Sequence, residues 1–220
     1  MIQVAEFMLP PYNRTEICRY AGVRQCSPEM ERALDRCLET VQTAFAGRVC
    51  WTHMSVSVTE NQVEFPFARI ASRALAQNLR GCREVILFAA TVGMTIDRLI
   101  RRYSVGDMAS AVWLQAIGTE RVEALCRVFC DKMAAEAAGR FLRPRFSPGY
   151  GDLPIAMQRD LIALLDTPRK IGVSLSDGCL MTPSKSVTAV VGIGPERCSA
   201  KTGGCGYCDR TDCPYREEPE

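Results

Sequence analysis

Histidine is almost absent from this sequence of 220 residues, which contains a single one, His53. Serine and cysteine nucleophiles are usually activated by histidine, so any such mechanism would have to use this one side chain. No serine or cysteine stands in a nucleophile-elbow motif. The predicted strand around His53 places the imidazole on its more polar face, where a hydrogen-bonded structural role is commoner than catalysis. The sequence therefore disfavours a nucleophilic hydrolase.

An excess of one charge and a long apolar segment are also missing. Lysine and arginine total 27 and aspartate and glutamate total 25, a balance that gives no electrostatic argument for binding nucleic acid or an anionic membrane. The longest apolar run, from Val85 to about Met94, is far shorter than the roughly 18–20 residues that span a bilayer. Residues 1–11 lack the basic and apolar regions of a signal peptide. We therefore expect a soluble cytoplasmic protein without nucleic-acid or membrane partners.

A glycine-rich nucleotide motif is missing as well. The buried strand predicted at Glu84–Thr91 is followed by Gly93 and by a helix that begins near Thr95, which resembles half of a nucleotide-binding unit. However, the sequence contains no Gly-x-Gly-x-x-Gly and no clear alternation of strands and helices. We interpret this step as packing.

The predicted elements combine helices with mostly separate strands. Ser27 and Pro28 start a helix that runs to about Ala46, and residues 49–58 alternate as a strand with one core face. A long helical stretch runs from Asp107 to about Ala138, with a bend or break expected at Gly118. Another helix is expected to start at Asp152 and Pro154, with Ile155, Leu161, Ile162 and Leu165 facing inward.

These elements predict an α+β fold with a central, mostly antiparallel twisted sheet flanked by helices, including the one long helical stretch. We place the main domain at residues 1–194. Residues 195–220 change in composition to glycine, cysteine and charge, and form a small Cys-rich C-terminal appendage.

A tight turn at Ser147–Tyr150 is the most informative local signal. Pro148 fixes φ at the second position and Gly149 supplies the positive φ of the third, so the pattern predicts a type II turn that leaves the backbone bare. The guanidinium of Arg145 presents several N–H donors in an arrangement that matches a carboxylate, and Tyr150 offers an aromatic ring face and a hydroxyl group. These residues suit an amino-acid-like ligand, although an arginine paired with a nearby acid on a surface loop is the alternative.

The pattern Arg-x-x-x-Gly-Tyr at Arg145, Gly149 and Tyr150, with residues 146–148 between them and the downstream run Met181–Val187, resembles the activation domain of cobalamin-dependent methionine synthase. The chain looks most like the stand-alone form of that domain. The resemblance extends from about residue 14 to residue 194, but only these two motifs are specific.

The resemblance implies a binding site for S-adenosylmethionine. It implies that Arg145 binds the ligand carboxylate, that Tyr150 lies against the ligand and that Gly149 belongs to the same site. Val191 and Gly192 are further candidates, since the strand that holds them borders the ligand in the resembled domain. Methionine synthase has aromatic residues at these two positions, so stacking of a side chain on the adenine is not expected here.

Four of the twelve cysteines cluster at the C-terminus, with six, two and four residues between successive members: Cys198, Cys205, Cys208 and Cys213. This segment has too few apolar residues to form its own core, and four thiolates on a metal would order it. The spacing suits either zinc or a 4Fe-4S cluster. The scattered cysteines are expected to be small buried hydrophobes.

The resemblance implies a reactivation factor that supports reductive methylation of cobalamin, which needs an electron donor. The chain lacks the Asp-x-His-x-x-Gly motif of corrinoid-binding domains, so the cobalamin would be carried by a separate methionine synthase or corrinoid protein. The residues themselves favour a platform that orients reactants over an acid–base enzyme. The alternatives are an iron-sulfur or zinc protein acting in electron transfer or partner binding, and a conventional methyltransferase, against which the missing glycine-rich motif counts.

Overall fold

The computed structural model describes residues 1–42 and 45–196. Its helices are α1 (Arg14–Tyr20), α2 (Pro28–Thr40), α3 (Arg73–Asn78), α4 (Thr95–Tyr103), α5 (Met108–Glu136), α6 (Met157–Leu165) and α7 (Thr167–Ile171). Its strands are β1 (Gln3–Phe7), β2 (Gly47–Ser55), β3 (Ser57–Val58), β4 (Gln62–Phe65), β5 (Ala68–Ala71), β6 (Glu84–Thr91), β7 (Phe141–Leu142), β8 (Ser174–Leu175), β9 (Met181–Thr182) and β10 (Ser186–Gly194).

The centre of the fold is a five-stranded sheet in the order β1-β2-β6-β10-β7, and each pairing in it is antiparallel. Strands β3, β4 and β5 form a second small sheet, and β8 pairs with β9. This arrangement confirms the predicted α+β class with a central antiparallel sheet and a long helix. Residues 197–220, which include all four cysteines of the appendage, lie outside the described residues, so the boundary after residue 194 stays a prediction.

Helices cover both faces of the central sheet. One face packs against α1, α2, α4 and α5 and contributes Trp51, Ile86, Phe88 and Val191 to the larger core. The other packs against α3, α6 and α7 in two smaller cores. The prediction that β2 has only one core face is therefore wrong, because a central strand that is covered on both sides is buried on both sides.

The long helix α5 continues without a break through Gly118, so the break expected there does not occur. A Cβ atom at this position would lie 3.0 Å from the side chains of Ile96 and Lys185. The glycine therefore allows α4 and the segment before β10 to approach α5 closely. The predicted start is confirmed, since Asp107 caps the helix by accepting a hydrogen bond from the Ser110 amide at 3.0 Å.

Helix α2 is shorter than predicted and ends at Thr40. Its start is as expected, because the Ser27 hydroxyl accepts a hydrogen bond from the Met30 amide and Pro28 occupies the first turn. The side chain of Met30, which the periodicity assigned to the apolar stripe, is 42% exposed. The first turn of this helix therefore projects beyond the core.

A buried ion pair on α5 holds the chain that follows β1. Glu120 and Arg121 pair with each other, and their side chains are only 5% and 3% exposed. Arg121 also donates to the carbonyl of Pro10 at 2.6 Å and to that of Pro11 at 3.2 Å, and its guanidinium lies 4.2 Å from the ring centre of Tyr12. The N-terminal segment is thus fixed to the middle of the long helix.

Within residues 1–42 and 45–196, no helix is long and apolar enough to cross a membrane. Helix α5 has the length, but it carries charged side chains, of which Arg127, Asp131 and Lys132 are exposed.

Phe129 is the central side chain of the larger core, and its replacement by alanine tests the packing. It is fully buried and contacts the rings of Phe88, Trp51 and Phe7, with centroid distances of 4.7, 5.3 and 5.9 Å. We expect Phe129→Ala to lower the free energy of unfolding by about 3–5 kcal/mol in urea titrations, because it leaves a cavity between α5 and the sheet. Val105→Ala, at a side chain that is 89% exposed, should stay within about 0.5 kcal/mol of the wild type.

Candidate functional site

The loop that contains Arg145 is bound to the edge of β10 by backbone hydrogen bonds. The Arg143 amide donates to the Gly192 carbonyl at 2.8 Å, and Phe146 and Val190 exchange two hydrogen bonds of 2.9 Å. From Leu142 to Phe146 the chain advances four residues, while their partners Ile193 and Val190 are three apart. One extra residue therefore lies in the loop, which makes it a β-bulge.

The bulge determines which way Arg145 points. Phe146 is buried in the core that also holds Val190, on the side of α3 and α6. The side chain of Arg145 lies on the opposite side and reaches α5, where its Nη2 donates to Glu123 Oε2 at 2.8 Å. Bulges redirect side chains in this way, and Pro144, which has no amide hydrogen, is tolerated there.

The ion pair of Arg145 and Glu123 is the arrangement that the alternative interpretation of this loop predicted, an arginine paired with an acidic side chain, and it is partly exposed. Each of the two side chains is 31% exposed, so water and solutes can reach both charged groups. Beneath the pair are the thiols of Cys126 and Cys130, also on α5. Burial raises the pKa of the Cys126 thiol, and it raises that of Cys130 to about 11, so both are neutral near pH 7 despite the nearby guanidinium. Among these neighbours on α5, the negative charge that faces Arg145 is that of Glu123.

The turn predicted after Arg145 is confirmed. The Tyr150 amide donates to the Ser147 carbonyl at 3.2 Å, and Gly149 has a φ of +92°, as the third position of a type II turn requires. The prediction that the turn leaves its backbone bare is wrong, because the Gly149 amide donates to the Leu153 carbonyl at 2.9 Å and the Leu153 amide donates to the Tyr150 carbonyl at 3.0 Å. Tyr150 is 53% exposed, so a face of its ring is accessible.

The far end of the loop is held by α3. Asp152 accepts hydrogen bonds from the Ser72 hydroxyl and from the amides of Arg73 and Ala74, at 2.7 and 3.1 Å for the two amides. These amides belong to the first turn of α3, where a carboxylate is a favourable partner. Gly151 is required beside it, since a Cβ atom there would lie 2.9 Å from Ala74 Cβ and its φ is +54°.

This role of Asp152 was missed in the sequence. Asp152 and Pro154 were expected to start the next helix, but α6 begins at Met157, and the carboxylate caps α3 instead. Ile155, which was expected to face inward, is 47% exposed. Nothing in the local sequence indicates that an acid caps a helix about 80 residues earlier in the chain, so the interaction could be found only from the tertiary structure.

Val191 and Gly192 lie beside the Arg145 loop on β10, but protein atoms cover both. The side chain of Val191 is 1% exposed in the larger core. A Cβ atom on Gly192 would lie 2.7–2.9 Å from side-chain atoms of Leu79, Cys82 and Arg143. A ligand could reach this face of Gly192 only if the side chains of Leu79, Cys82 and Arg143 all moved, and those of Leu79 and Cys82 are buried. The contacts predicted for Val191 and Gly192 stay a prediction.

The predicted metal ligands Cys198, Cys205, Cys208 and Cys213 all lie outside the described residues. Within the part of the chain that the structure describes, no group of three or more histidine, cysteine, aspartate or glutamate side chains could hold a metal ion. Of the eight scattered cysteines, four are buried and four are partly exposed: Cys37, Cys50, Cys82 and Cys126 are buried, and Cys18, Cys26, Cys130 and Cys179 are not. The expectation of buried hydrophobes thus holds for half of them.

The comparison with solved structures is the informative one. No protein-family model and no curated protein matches this sequence. Among solved structures, the chain is similar to the crystal structure of the MetH reactivation domain bound to AdoHcy, with a TM-score of 0.66 and 13% sequence identity. The similarity covers 90% of this chain and 80% of that one. At this identity it shows a shared fold, which agrees with the fold that the sequence resemblance implies.

The anchoring of the loop by Asp152 can be tested by stability measurements. We expect Asp152→Ala to lower the free energy of unfolding by about 1–2 kcal/mol at pH 7, because two amides in the first turn of α3 lose their acceptor. Asp131→Ala, an exposed position on α5, is the matched control and should change stability by less than about 0.5 kcal/mol.

The same variant should show a characteristic pH dependence. Desolvation raises the pKa of Asp152, but the hydrogen bonds from Ser72, Arg73 and Ala74 outweigh it and hold the pKa below its ordinary value. The stabilisation is therefore complete above the unfolded pKa of about 3.9 and is lost as the pH falls through the lower folded pKa. A stability difference from the wild type that stays constant down to about pH 2 would contradict this assignment.

Proposed function

We propose that this chain binds S-adenosylmethionine at the Arg145–Tyr150 loop and acts as a reactivation factor for a separate cobalamin-dependent methionine synthase or corrinoid methyltransferase. The observation that carries the proposal is the position of Arg145, a partly exposed guanidinium beside Glu123, in a loop with the Arg-x-x-x-Gly-Tyr pattern. The fold adds support, since the MetH reactivation domain to which the chain is similar was crystallised with AdoHcy.

Arg145 and Glu123 together match the amino-acid end of this ligand. An amino acid carries a carboxylate and an ammonium group on one carbon, and the pair offers a cation and an anion whose joined atoms are 2.8 Å apart. A guanidinium has five N–H donors; Glu123 accepts from one of them and the Cys126 thiol also interacts with the guanidinium, so a ligand carboxylate would bind Arg145 through the donors that remain. Glu123 then accepts a hydrogen bond from the ligand ammonium. It is an acidic partner for the ligand that the sequence does not indicate.

Tyr150 and the backbone beside it would contact the remainder of the ligand. The ring of Tyr150 is accessible next to the turn and can pack against a nucleoside. Gly149 is exposed, and it has no side chain that would separate a ligand from the turn. A Cβ atom at this position would lie 3.1 Å from the side chain of Ile155. In this proposal a direct contact between the ligand and Gly192 would require Leu79, Cys82 and Arg143 to move. Val191, which is 1% exposed, would lie behind the surface that the ligand meets.

The chemistry would depend on orientation. When bound, S-adenosylmethionine supplies a methyl group from its sulfonium and is left as S-adenosylhomocysteine. The residues of this chain hold the amino-acid end and fix the direction in which the methyl group points, which is catalysis by positioning. The cobalamin that accepts the methyl group is carried by the partner protein, and the electron for its reduction comes from a separate donor.

The C-terminal cysteines are a second part of the proposal. Cys198, Cys205, Cys208 and Cys213 would bind either a 4Fe-4S cluster or zinc, since the Cys-x-x-Cys pair suits both. If the tail binds a reducible cluster and the Arg145 loop binds no nucleoside, the chain is an electron-transfer or partner-binding protein instead. Metal analysis and the visible spectrum of anaerobically purified protein, measured beside the binding experiment below, separate the two functions.

Calorimetric titration with S-adenosylmethionine tests the role of Arg145. We expect the wild type to bind and Arg145→Ala to bind at least tenfold more weakly, because the ligand carboxylate loses a charged hydrogen-bond partner worth about 1.5–3 kcal/mol. Arg127→Ala removes an equal charge from an exposed position one turn along α5 from Glu123 and should bind like the wild type. Equal affinity of the two variants, or no binding to the wild type, would contradict the proposal.

Glu123→Gln distinguishes a ligand contact from a competitor. If Glu123 accepts the ligand ammonium, this variant should bind S-adenosylmethionine several-fold more weakly, since the charged acceptor is lost. If Glu123 only occupies Arg145 in the free protein, the variant should bind more tightly, because the guanidinium is already available. We expect the weaker binding, and tighter binding would remove Glu123 from the site.

A further inference from the structure

A cavity of about 790 Å³ lies at the end of the central sheet where β2 and β10 finish and β6 begins. Its lining includes His53, Ser55, Glu84, Arg83, Arg140 and Ile193. Arg145, Gly149 and Tyr150 are not among the residues that line it. The cavity thus shares no lining residue with the proposed S-adenosylmethionine site, and Ile193, which lines it, directly follows Gly192 on β10. Its volume is in the range of pockets that hold small molecules.

Three charged or titratable side chains form a fixed group in this cavity. His53 Nδ1 is 3.0 Å from Glu84 Oε1, and Arg140 Nη1 donates to Glu84 Oε2 at 2.6 Å. The hydrogen bond from Arg140 is the largest cause that holds the pKa of Glu84 below its ordinary value, so the carboxylate is charged near pH 7. Both carboxylate oxygens are occupied, and the glutamate orients the imidazole and the guanidinium against the cavity wall.

Arg83 gives the cavity an excess of positive charge. It precedes β6, and its backbone carbonyl accepts a hydrogen bond from the Val56 amide at 3.0 Å, which fixes the turn that carries it. Within residues 1–42 and 45–196, its guanidinium has no acidic side chain within ion-pair distance. The cavity therefore holds two arginines against one carboxylate that is already paired.

We infer that this cavity binds an anionic ligand of up to nucleotide size, with its phosphate or carboxylate group held by Arg83 and Arg140. Arginine presents several donors to such a group and stays charged at every accessible pH. Met54, Ile193 and Pro195 supply apolar contacts for the body of the ligand. His53 Nε2, the ring nitrogen that does not face Glu84, is the additional polar contact.

His53 provides a direct readout, because it is the only histidine in the chain and gives a single imidazole signal in NMR spectra. The full-length protein would be titrated with ATP, with inorganic phosphate and with citrate, each at constant ionic strength set with chloride. We expect at least one of these anions to shift the His53 signal in a saturable manner. A shift with ATP and phosphate assigns the site to phosphate groups, and a shift with citrate alone assigns it to carboxylates.

Two matched variants locate the anion. Arg83→Gln should weaken the binding of whichever anion shifts the His53 signal by tenfold or more. Arg80→Gln removes an equal charge from an exposed side chain three residues away that does not line the cavity, and it should leave the affinity unchanged. Absence of a saturable shift with all three anions, or equal affinities of the two variants, would overturn the inference.

Arg145→Ala should bind the anion as the wild type does, because Arg145 does not line this cavity. The wild type separates the two proposals. Anion binding without S-adenosylmethionine binding would contradict only the proposed function, and S-adenosylmethionine binding without anion binding would contradict only this inference. Loss of anion binding in Arg145→Ala would show that the two places are one site and would overturn the separate assignment.

Discussion

Two hydrogen bonds between Phe146 and Val190 determine how the candidate site is built. They attach the loop to β10 after one extra residue, and the alternation of side chains along a strand then decides the rest. Phe146 enters the core on one side of the sheet, so Arg145 must lie on the other side, where α5 presents Glu123. Without the extra residue, the register of β7 would continue through the loop. Arg145 would then lie on the side of the sheet that now holds Phe146, and Phe146 would lie on the side of α5.

The loop connects the two helical layers that the sheet separates. At one end Arg145 contacts α5, and at the other Asp152 caps α3, while the turn between them is closed by its own backbone hydrogen bonds. A loop that is fixed at both ends loses little conformational entropy when a ligand binds. The loop is therefore preorganised, which lowers the cost of binding for any ligand that contacts it.

Some local signals in the sequence give correct predictions and others do not, since Asp152 and Pro154 indicate a helix start but α6 begins at Met157. The turn at Ser147–Tyr150 and the start of α2 depend on proline, glycine and serine within four residues, so their chemistry is visible in the sequence. The pairing of Arg145 with Glu123, the capping of α3 by Asp152 and the burial of β2 on both faces depend on residues far away in the chain. Periodicity shows that a residue is apolar, but it cannot show how many layers will cover it.

Two ion pairs that involve residues of α5 lie at different depths in the protein. Glu120 and Arg121 are 5% and 3% exposed, and the arginine holds the N-terminal segment, so removing one partner would leave an uncompensated buried charge at a cost of about 3–5 kcal/mol. Glu123 and Arg145 are each 31% exposed, where an ion pair contributes only about 0–1 kcal/mol. Opening the second pair to admit a zwitterionic ligand, as we propose, would therefore cost little, whereas opening the first pair would cost several times more. The same chemistry thus contributes differently at two depths beside one helix.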